Sequence, residues 1–307
     1  MRPQLSILLM THNQAAYLPE TLASLRAQTI GIDNLEVVMI EDASTDGTGE
    51  QLDAFSKECP FAKVDHVSFR NVGKARNAAL ALATAPYLMF VDGDDVLAPN
   101  ACELLLKAAQ AQSAEMVVTS LHRFRGTLIP QKVETALFSP IGVTAFWEEL
   151  LRHQRHMGHL TGCIFSRRLF ETLRFPEMCC YEDIFIALDL LNQSPRILIS
   201  GTPVYFYRQH EKSLSTELDD TKAKNMLLVL AKLKGNVKTV YQQRLFEALC
   251  VKQSRILLDN VEDLSHDSRN GINSLMEAIS PRGFLLSPHV RISRKILFVK
   301  NKRELRR

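Results

Sequence analysis

The sequence predicts an α/β fold built on an open, mostly parallel sheet with helices on its faces, and three observations carry that prediction. Short apolar runs recur, stretches of helical spacing separate them, and acidic or polar residues stand where the runs end. The runs are LSILLM at 5–10, EVVMI at 36–40 and PYLMFV at 86–91, nearly continuous in the way of strands buried on both faces. Between them lie AAYLPETLASLRAQ (15–28), GTGEQLDAFSKE (47–58) and GKARNAALALAT (73–84), with a weaker strand near 64–69. Alternation of this kind implies parallel pairing with crossover helices. Ligands of such sheets bind beyond the carboxyl ends of the strands.

Further along, the spacing predicts a helix over 100–112, a strand over 116–124, a helix over 142–156 and a strand running into a helix over 162–175. A helix over 181–193 and an alternating strand at 202–208 follow, and from about 218 to Pro281 the pattern is helical and polar-amphipathic. Two regions result: 1–217 as the α/β domain, and 218–307 as a helical C-terminal region with a basic amphipathic tail.

Composition narrows the class. With 307 residues, 46% of them hydrophobic, the chain can bury a real core and is not read as disordered. A formal net charge of +3 is too small to make nucleic acid the principal partner. Six cysteines without CxxC pairs or scaffold density indicate reduced thiols facing a cytosol. The first apolar run is too short for a secretory signal, and no segment reaches the ~18 apolar residues of a membrane span.

Three polar signals close predicted strands: THN at 11–13, EDASTDGT at 41–48 and DGDD at 92–95. A parallel sheet brings them to one edge although about eighty residues separate the first from the last. Carboxylates crowded there raise one another's pKa unless a cation or hydrogen-bond donors compensate. Mg²⁺ or Mn²⁺, with oxygen ligands and phosphate, is the usual compensation. Taken singly, DGDD reads as a solvated turn, and EDASTDGT as a turn capping the next helix through Thr45 or Asp46. A calcium loop fails because Val96 and Leu97 fill its fifth and sixth positions. There is neither a GxxxxGK[ST] loop nor a GxGxxG after the first strand, so a phosphate binder here would rely on metal. RNVGKARNAAL at 70–80 adds Arg70, Lys74 and Arg76 at a predicted helix start, where the helix dipole favours anions.

The ordered series SILLMTHNQAAYLPETLASLRAQT, EDASTDGT, NVGKARNAAL, FVDGDDVL and YEDIFIALDLL resembles the family 2 glycosyltransferases with the GT-A fold, over roughly residues 3–217. The resemblance implies a Rossmann-like nucleotide-binding half, a metal-bound nucleotide-diphosphate sugar as donor, and inversion at the anomeric carbon. It places Thr11 and Asn13 in the first nucleotide-contacting loop, Glu41 as the acid that reads the base, commonly uracil, and Asp42 as its acidic neighbour. Relatives most often have aspartate at the position of Glu41, glycine at that of Ala43 and an aromatic residue at that of His12. Arg76 matches an arginine near base and diphosphate, with Gly73 and Asn77 as companions. Asp92 matches a carboxylate near the ribose and metal-bound water, Asp94 the direct metal ligand, and Asp95 the third acid of the set. Mn²⁺ or Mg²⁺ is the implied cofactor.

Inversion needs a carboxylate away from the metal to take the acceptor proton. The resemblance makes Asp183 that base and Glu182 its orienting neighbour, whereas the residues alone read as first-turn acids of a helix. In YFYRQHEKSLS, 205–215, it assigns His210 to the metal and Arg208 or Ser213 to phosphate. The relatives implied act in bacterial surface polysaccharide or lipooligosaccharide synthesis, with a glycan or lipid-linked acceptor. A catalytically silent nucleotide- or glycan-binding subunit is the alternative.

Outside the resemblance, residues 289–307 hold eight Lys or Arg and one acid, with Ile292, Ile296, Leu297, Phe298 and Val299 interleaved. That composition suits a basic amphipathic helix on an anionic membrane surface, and equally a solvated helix packed on protein. The expected location is the cytoplasm, with peripheral contact to the inner membrane's cytoplasmic face.

Overall fold

The computed structural model describes residues 2–153, 158–194, 196–210, 218–260 and 264–305. The chain forms two compact units: Met1–Ala145 with His159–Glu211, and Phe146–Gly158 with Lys212–Arg307. The expected boundary at 217 lies outside the described residues.

In the first unit, β1 (Leu5–Thr11), β2 (Leu35–Asp42), β3 (Ala62–Val67) and β4 (Tyr87–Asp92) alternate with α1 (Leu18–Arg26), α2 (Thr48–Glu58) and α3 (Val72–Leu82). All four strands are parallel and lie in the order β3-β2-β1-β4. Every residue of β1 is buried, because helices cover the sheet on both faces, and this is why its sequence shows no alternation. The weaker strand, β3, sits at the sheet edge with His66 and Asp65 exposed.

The second half of the sheet is mixed. After β5 (Val96–Leu97) and α4 (Ala101–Gln112) come β6 (Met116–Phe124), β7 (Ser139–Ile141), β8 (Ile164–Ser166), α6 (Glu182–Gln193) and β9 (Ile197–Arg208). The sheet continues β4-β8-β6-β9-β5, with β8 antiparallel to β4 and β6, and β5 and β7 antiparallel to β9. Parallel pairing thus holds for the N-terminal half and for β6 with β9. No helix follows β8, where a strand running into a helix is predicted; a single 3-10 turn, Arg167–Phe170, takes its place.

Register sets the site. Thr11 pairs with Glu41 and Met10 with Asp92, so the ends of β1, β2 and β4 lie side by side. Chain direction from β1 reverses here, with β2 on one side and β4 on the other, which makes a crevice beyond the strand ends.

In the second unit α5 (Val143–Arg152) contributes Phe146 and Trp147, both buried. The rest is helical: α7 (Asp220–Lys234), α8 (Val240–Leu258), α9 (His266–Glu277), α10 (Pro281–Leu285) and α11 (Ile292–Glu304). Asp219, Thr239 and Ser265 each accept a backbone N–H at their helix starts, which defines where these helices begin. Ala223, Leu257, Leu258, Leu264 and Ile272 form a small core there.

Candidate functional site

At the end of β4 the chain makes a tight turn through Gly93. A side chain there would lie 2.4 Å from Gln14 Oε1 and 2.6 Å from Thr11 Cγ2, so only glycine lets this turn lie against the β1 loop. The turn separates its carboxylates. Asp94 faces His210, whose Nε2 lies 2.8 Å from Asp94 Oδ2, while Asp95 is fully buried and accepts the Arg208 N–H at 2.7 Å. Burial, with the Asp94 and Asp92 charges adding to it, holds the Asp95 carboxyl well above its ordinary range. The Tyr205 hydroxyl accepts the Asp92 N–H at 3.1 Å.

A second pair of acids opens α6. Glu182 is 4% exposed, and its Oε1 accepts from Arg76 Nε at 2.8 Å. The Nη2 of the same guanidinium lies 3.4 Å from Asp92 Oδ1. Arg76 therefore joins the carboxylates of β4 to those of α6, with its guanidinium against the rings of Phe90 and Phe175. Burial disfavours its charge, but Asp92, Glu182 and Asp183 outweigh that and keep the guanidinium charged. Burial pushes Asp183 up to about 7, with the Glu182 charge second, and pushes Asp92 up to about 6 against the pull of Arg76. Both acids keep an opening: Asp92 has 31% of its side chain exposed, and Asp183 is half-buried.

The motif around Arg76 explains its companions. An added Cβ on Gly73 would stand 1.9 Å from the Pro176 carbonyl oxygen, so the start of α3 touches backbone directly. Asn77 donates to the Phe175 carbonyl at 3.0 Å and accepts the Phe175 N–H at 2.9 Å. Gly73 and Asn77 thus fix the 175–178 segment that leads into Glu182 and Asp183.

The β1 and β2 loops are stapled to each other. Asn13, at φ 52°, accepts the Thr45 N–H at 2.8 Å through its side chain, and its own N–H donates to Ser44 Oγ at 3.0 Å. The Thr11 hydroxyl donates to the Ile40 carbonyl at 3.1 Å. Glu41 accepts the Ser44 N–H at 2.5 Å and meets His66 Nδ1 at 3.1 Å. Burial would raise the Glu41 carboxyl, but these partners win and hold it below its ordinary range. Ala43 sits at φ 57°, in the left-handed region that glycine fills without penalty. This accounts physically for the glycine expected of relatives there.

Two residues of the expected donor site have partners within the chain. Asp42 accepts the N–H groups of Arg70 at 2.7 Å and Asn71 at 2.9 Å, one on each carboxylate oxygen, and so shapes the loop before α3. Arg208 is 2% exposed and donates to the Asp94 carbonyl at 2.7 Å, to Glu20 Oε2 at 2.9 Å and to the Gly126 carbonyl, and so braces the turn. Ser213 lies outside the described residues.

Sequence reading missed four participants. His66 bridges Glu41 and Asp53, the latter at 3.0 Å, and these acids raise its pKa. Tyr17 stacks on His210 with centroids 4.5 Å apart, Glu20 pairs with Arg208, and Tyr205 supports Asp92. Each acts through a partner distant in sequence, so no local pattern marks it.

A divalent cation fits the donor set in part. Asp94 supplies a hard oxygen and His210 an imidazole whose Nδ1 has no hydrogen-bond partner among the described residues, while the crowded acids favour positive charge. Among the described residues no three His, Cys, Asp or Glu side chains converge as a ready ligand set. Two protein ligands completed by phosphate oxygens and water suit such a site.

Comparison with known proteins gives the family and the fold. ExoO of Rhizobium meliloti (strain 1021), a succinoglycan biosynthesis protein, is 27% identical over 228 residues, covering 70% of this chain and 64% of ExoO. The chain likewise spans 64% of EpsJ of Bacillus subtilis (strain 168), so it covers less than two thirds of such relatives. The crystal structure of S. aureus TarS 1-349 in complex with UDP-GlcNAc superposes with a TM-score of 0.72 at 18% identity, covering 98% of this chain and 88% of that one. The mannosyltransferase PcManGT from Pyrobaculum calidifontis, in complex with GDP-Man and Mn²⁺, gives 0.57 at 16% identity, covering 99% and 87%. These likenesses show the GT-A fold. Residues 6–174, more than half of the chain, match the family model of glycosyl transferase family 2, and the chain belongs to that family.

Proposed function

We propose that the protein is an inverting, metal-dependent glycosyltransferase that moves a sugar from a nucleotide-diphosphate donor, a UDP-sugar by preference, to a hydroxyl of a glycan or lipid-linked acceptor. The observation that carries this reading is the buried Arg76, which holds the carboxylates at the end of β4 and those at the start of α6 in one constellation. The first set suits a diphosphate with its cation, and the second suits proton removal from an acceptor.

In this reading Glu41, with Asn13 and Thr11 shaping the loop, receives the base, and Asp92 lies toward the ribose. Asp94 and His210, with Asp92 nearby, would hold Mn²⁺ or Mg²⁺, which would supply positive charge to the leaving diphosphate. The acceptor oxygen attacks the anomeric carbon while its proton passes to the Asp183 carboxylate. The bond from that carbon to the diphosphate oxygen breaks, and its electron pair leaves with the diphosphate. An Asp183 pKa of about 7 suits a base working near neutrality. Glu182, tied to Arg76, orients it. ExoO's role in succinoglycan biosynthesis supports an acceptor in surface polysaccharide or lipooligosaccharide synthesis, and a cytoplasmic enzyme working at the inner face of the membrane is the location proposed with it.

Calorimetric titration with UDP, first with Mn²⁺ and then with EDTA, tests the site. Micromolar binding that needs the metal, and that Asp94→Ala abolishes, is the expected result. Silence toward UDP, GDP, CDP and dTDP alike would instead favour a subunit without donor chemistry.

A further inference from the structure

The C-terminal helix α11 carries two apolar faces, only one of which the protein covers. Phe298 and Asn301 are buried, the Phe298 ring lies 5.0 Å from that of Phe284, and Asn301 Nδ2 donates to the Val251 carbonyl of α8 at 3.0 Å. Arg255 of α8 pairs with Glu304 at 2.5 Å. That face is structural. Ile292, Ile296 and Val299 are 75%, 66% and 37% exposed, and their spacing of i, i+4 and i+7 sets them in one row along the helix. Arg303 continues the row, with Lys295 and Lys302 on one flank and Lys300 on the other at 100° per residue.

We infer that this exposed face of α11 is a docking surface for an anionic phospholipid bilayer, with the helix lying in the plane of the headgroups. Charge complementarity selects the occupant: residues 289–307 hold eight Lys or Arg against one acid, and cations stand on both flanks of the isoleucine row. A bilayer offers both hydrocarbon for the row and negative charge for its flanks. At 13 residues the helix is too short to cross a membrane, and among the described residues no helix is long and apolar enough to do so. The inference extends the membrane side of the function proposed above and is independent of its chemistry.

The test is flotation of the full chain with vesicles of phosphatidylcholine containing phosphatidylglycerol, beside vesicles of phosphatidylcholine alone. Binding to the anionic vesicles only, weakened by added salt, is expected. Ile292→Glu with Ile296→Glu removes two exposed apolar side chains and should lower partitioning by at least about tenfold, and Lys295→Glu with Lys300→Glu should do the same. Calorimetric UDP binding, measured on the same preparations, should be unchanged, so failure of the membrane surface and failure of the donor site are told apart. Absence of binding to anionic vesicles, or isoleucine and lysine variants that float like the parent, overturns the inference. A parent that self-associates without floating, and that the isoleucine variant renders monomeric, also overturns it and assigns the face to a second copy.

Discussion

In the proposed mechanism, Asp183 and Arg76 are single residues that trade stability for chemistry. A half-buried carboxyl with a pKa pushed up to about 7 destabilises the fold whenever it ionises, and the Glu182 charge beside it adds to that cost. Arg76 offsets part of it from the other side of Glu182. Asp183→Asn keeps the shape and removes the charge. It should lower kcat by about 10²- to 10⁴-fold, the range for loss of a general base, while raising the melting temperature at pH 8 and leaving UDP affinity unchanged. In the parent enzyme kcat/KM should fall as pH drops below about 7, where this base gains a proton. A kcat within about tenfold of the parent would send the acceptor proton to another group.

At the scale of elements, the N-terminal half was legible because long buried strands leave continuous apolar runs. Predicted strands at 5–10, 36–40 and 86–91 match β1, β2 and β4 within two residues at each end. The short antiparallel strands were only partly legible. β8 falls within the strand expected at the start of 162–175, whereas β5 with two residues and β7 with three are too short to show a period of two. The DGDD and YED acids could be named from the chain, but the partners of Asp42 and Arg208 could not, since the Arg70 N–H, the Asp94 carbonyl and Glu20 lie 28 or more residues away. The 175–178 segment makes the point testable. Asn77→Ala leaves the Phe175 N–H and carbonyl without partners, at a cost of about 1–3 kcal/mol by chemical denaturation. Because that segment leads into α6, kcat should fall while calorimetric UDP affinity holds. Lost stability with kcat intact would show that α6 is positioned by something else.

Over the whole molecule, the shifted groups sort by pH into two sets that act in opposite directions. Glu36, Glu41, Asp46 and Asp220 are held below their ordinary values of 4.5 and 3.8, so the stability they contribute is present above those values and lost as pH falls below them. Asp92, Asp95 and Asp183 are raised above 3.8, to about 6 for Asp92 and about 7 for Asp183. Between 3.8 and those values the folded chain binds more protons than the unfolded one, so stability falls as pH rises through the window. His66, raised above 6.5 by Asp53 and Glu41, contributes stability that is full below 6.5 and is lost as pH climbs through its folded value. Both trends meet near pH 5. The melting temperature without ligand should therefore peak at about pH 5 and decline toward pH 8, since every resolved shift between those limits has the same sign. If the proposed site binds Mn²⁺ with UDP, the cation would supply positive charge that the acids at the end of β4 otherwise obtain from protons, and the pair should raise the melting temperature more at pH 8 than at pH 5. Thermal scans at both values, with and without the pair, decide this: a ligand-free melting temperature that climbs from pH 5 to 8 would mean that these carboxylates are already compensated within the protein, and that the site has no electrostatic need of a cation.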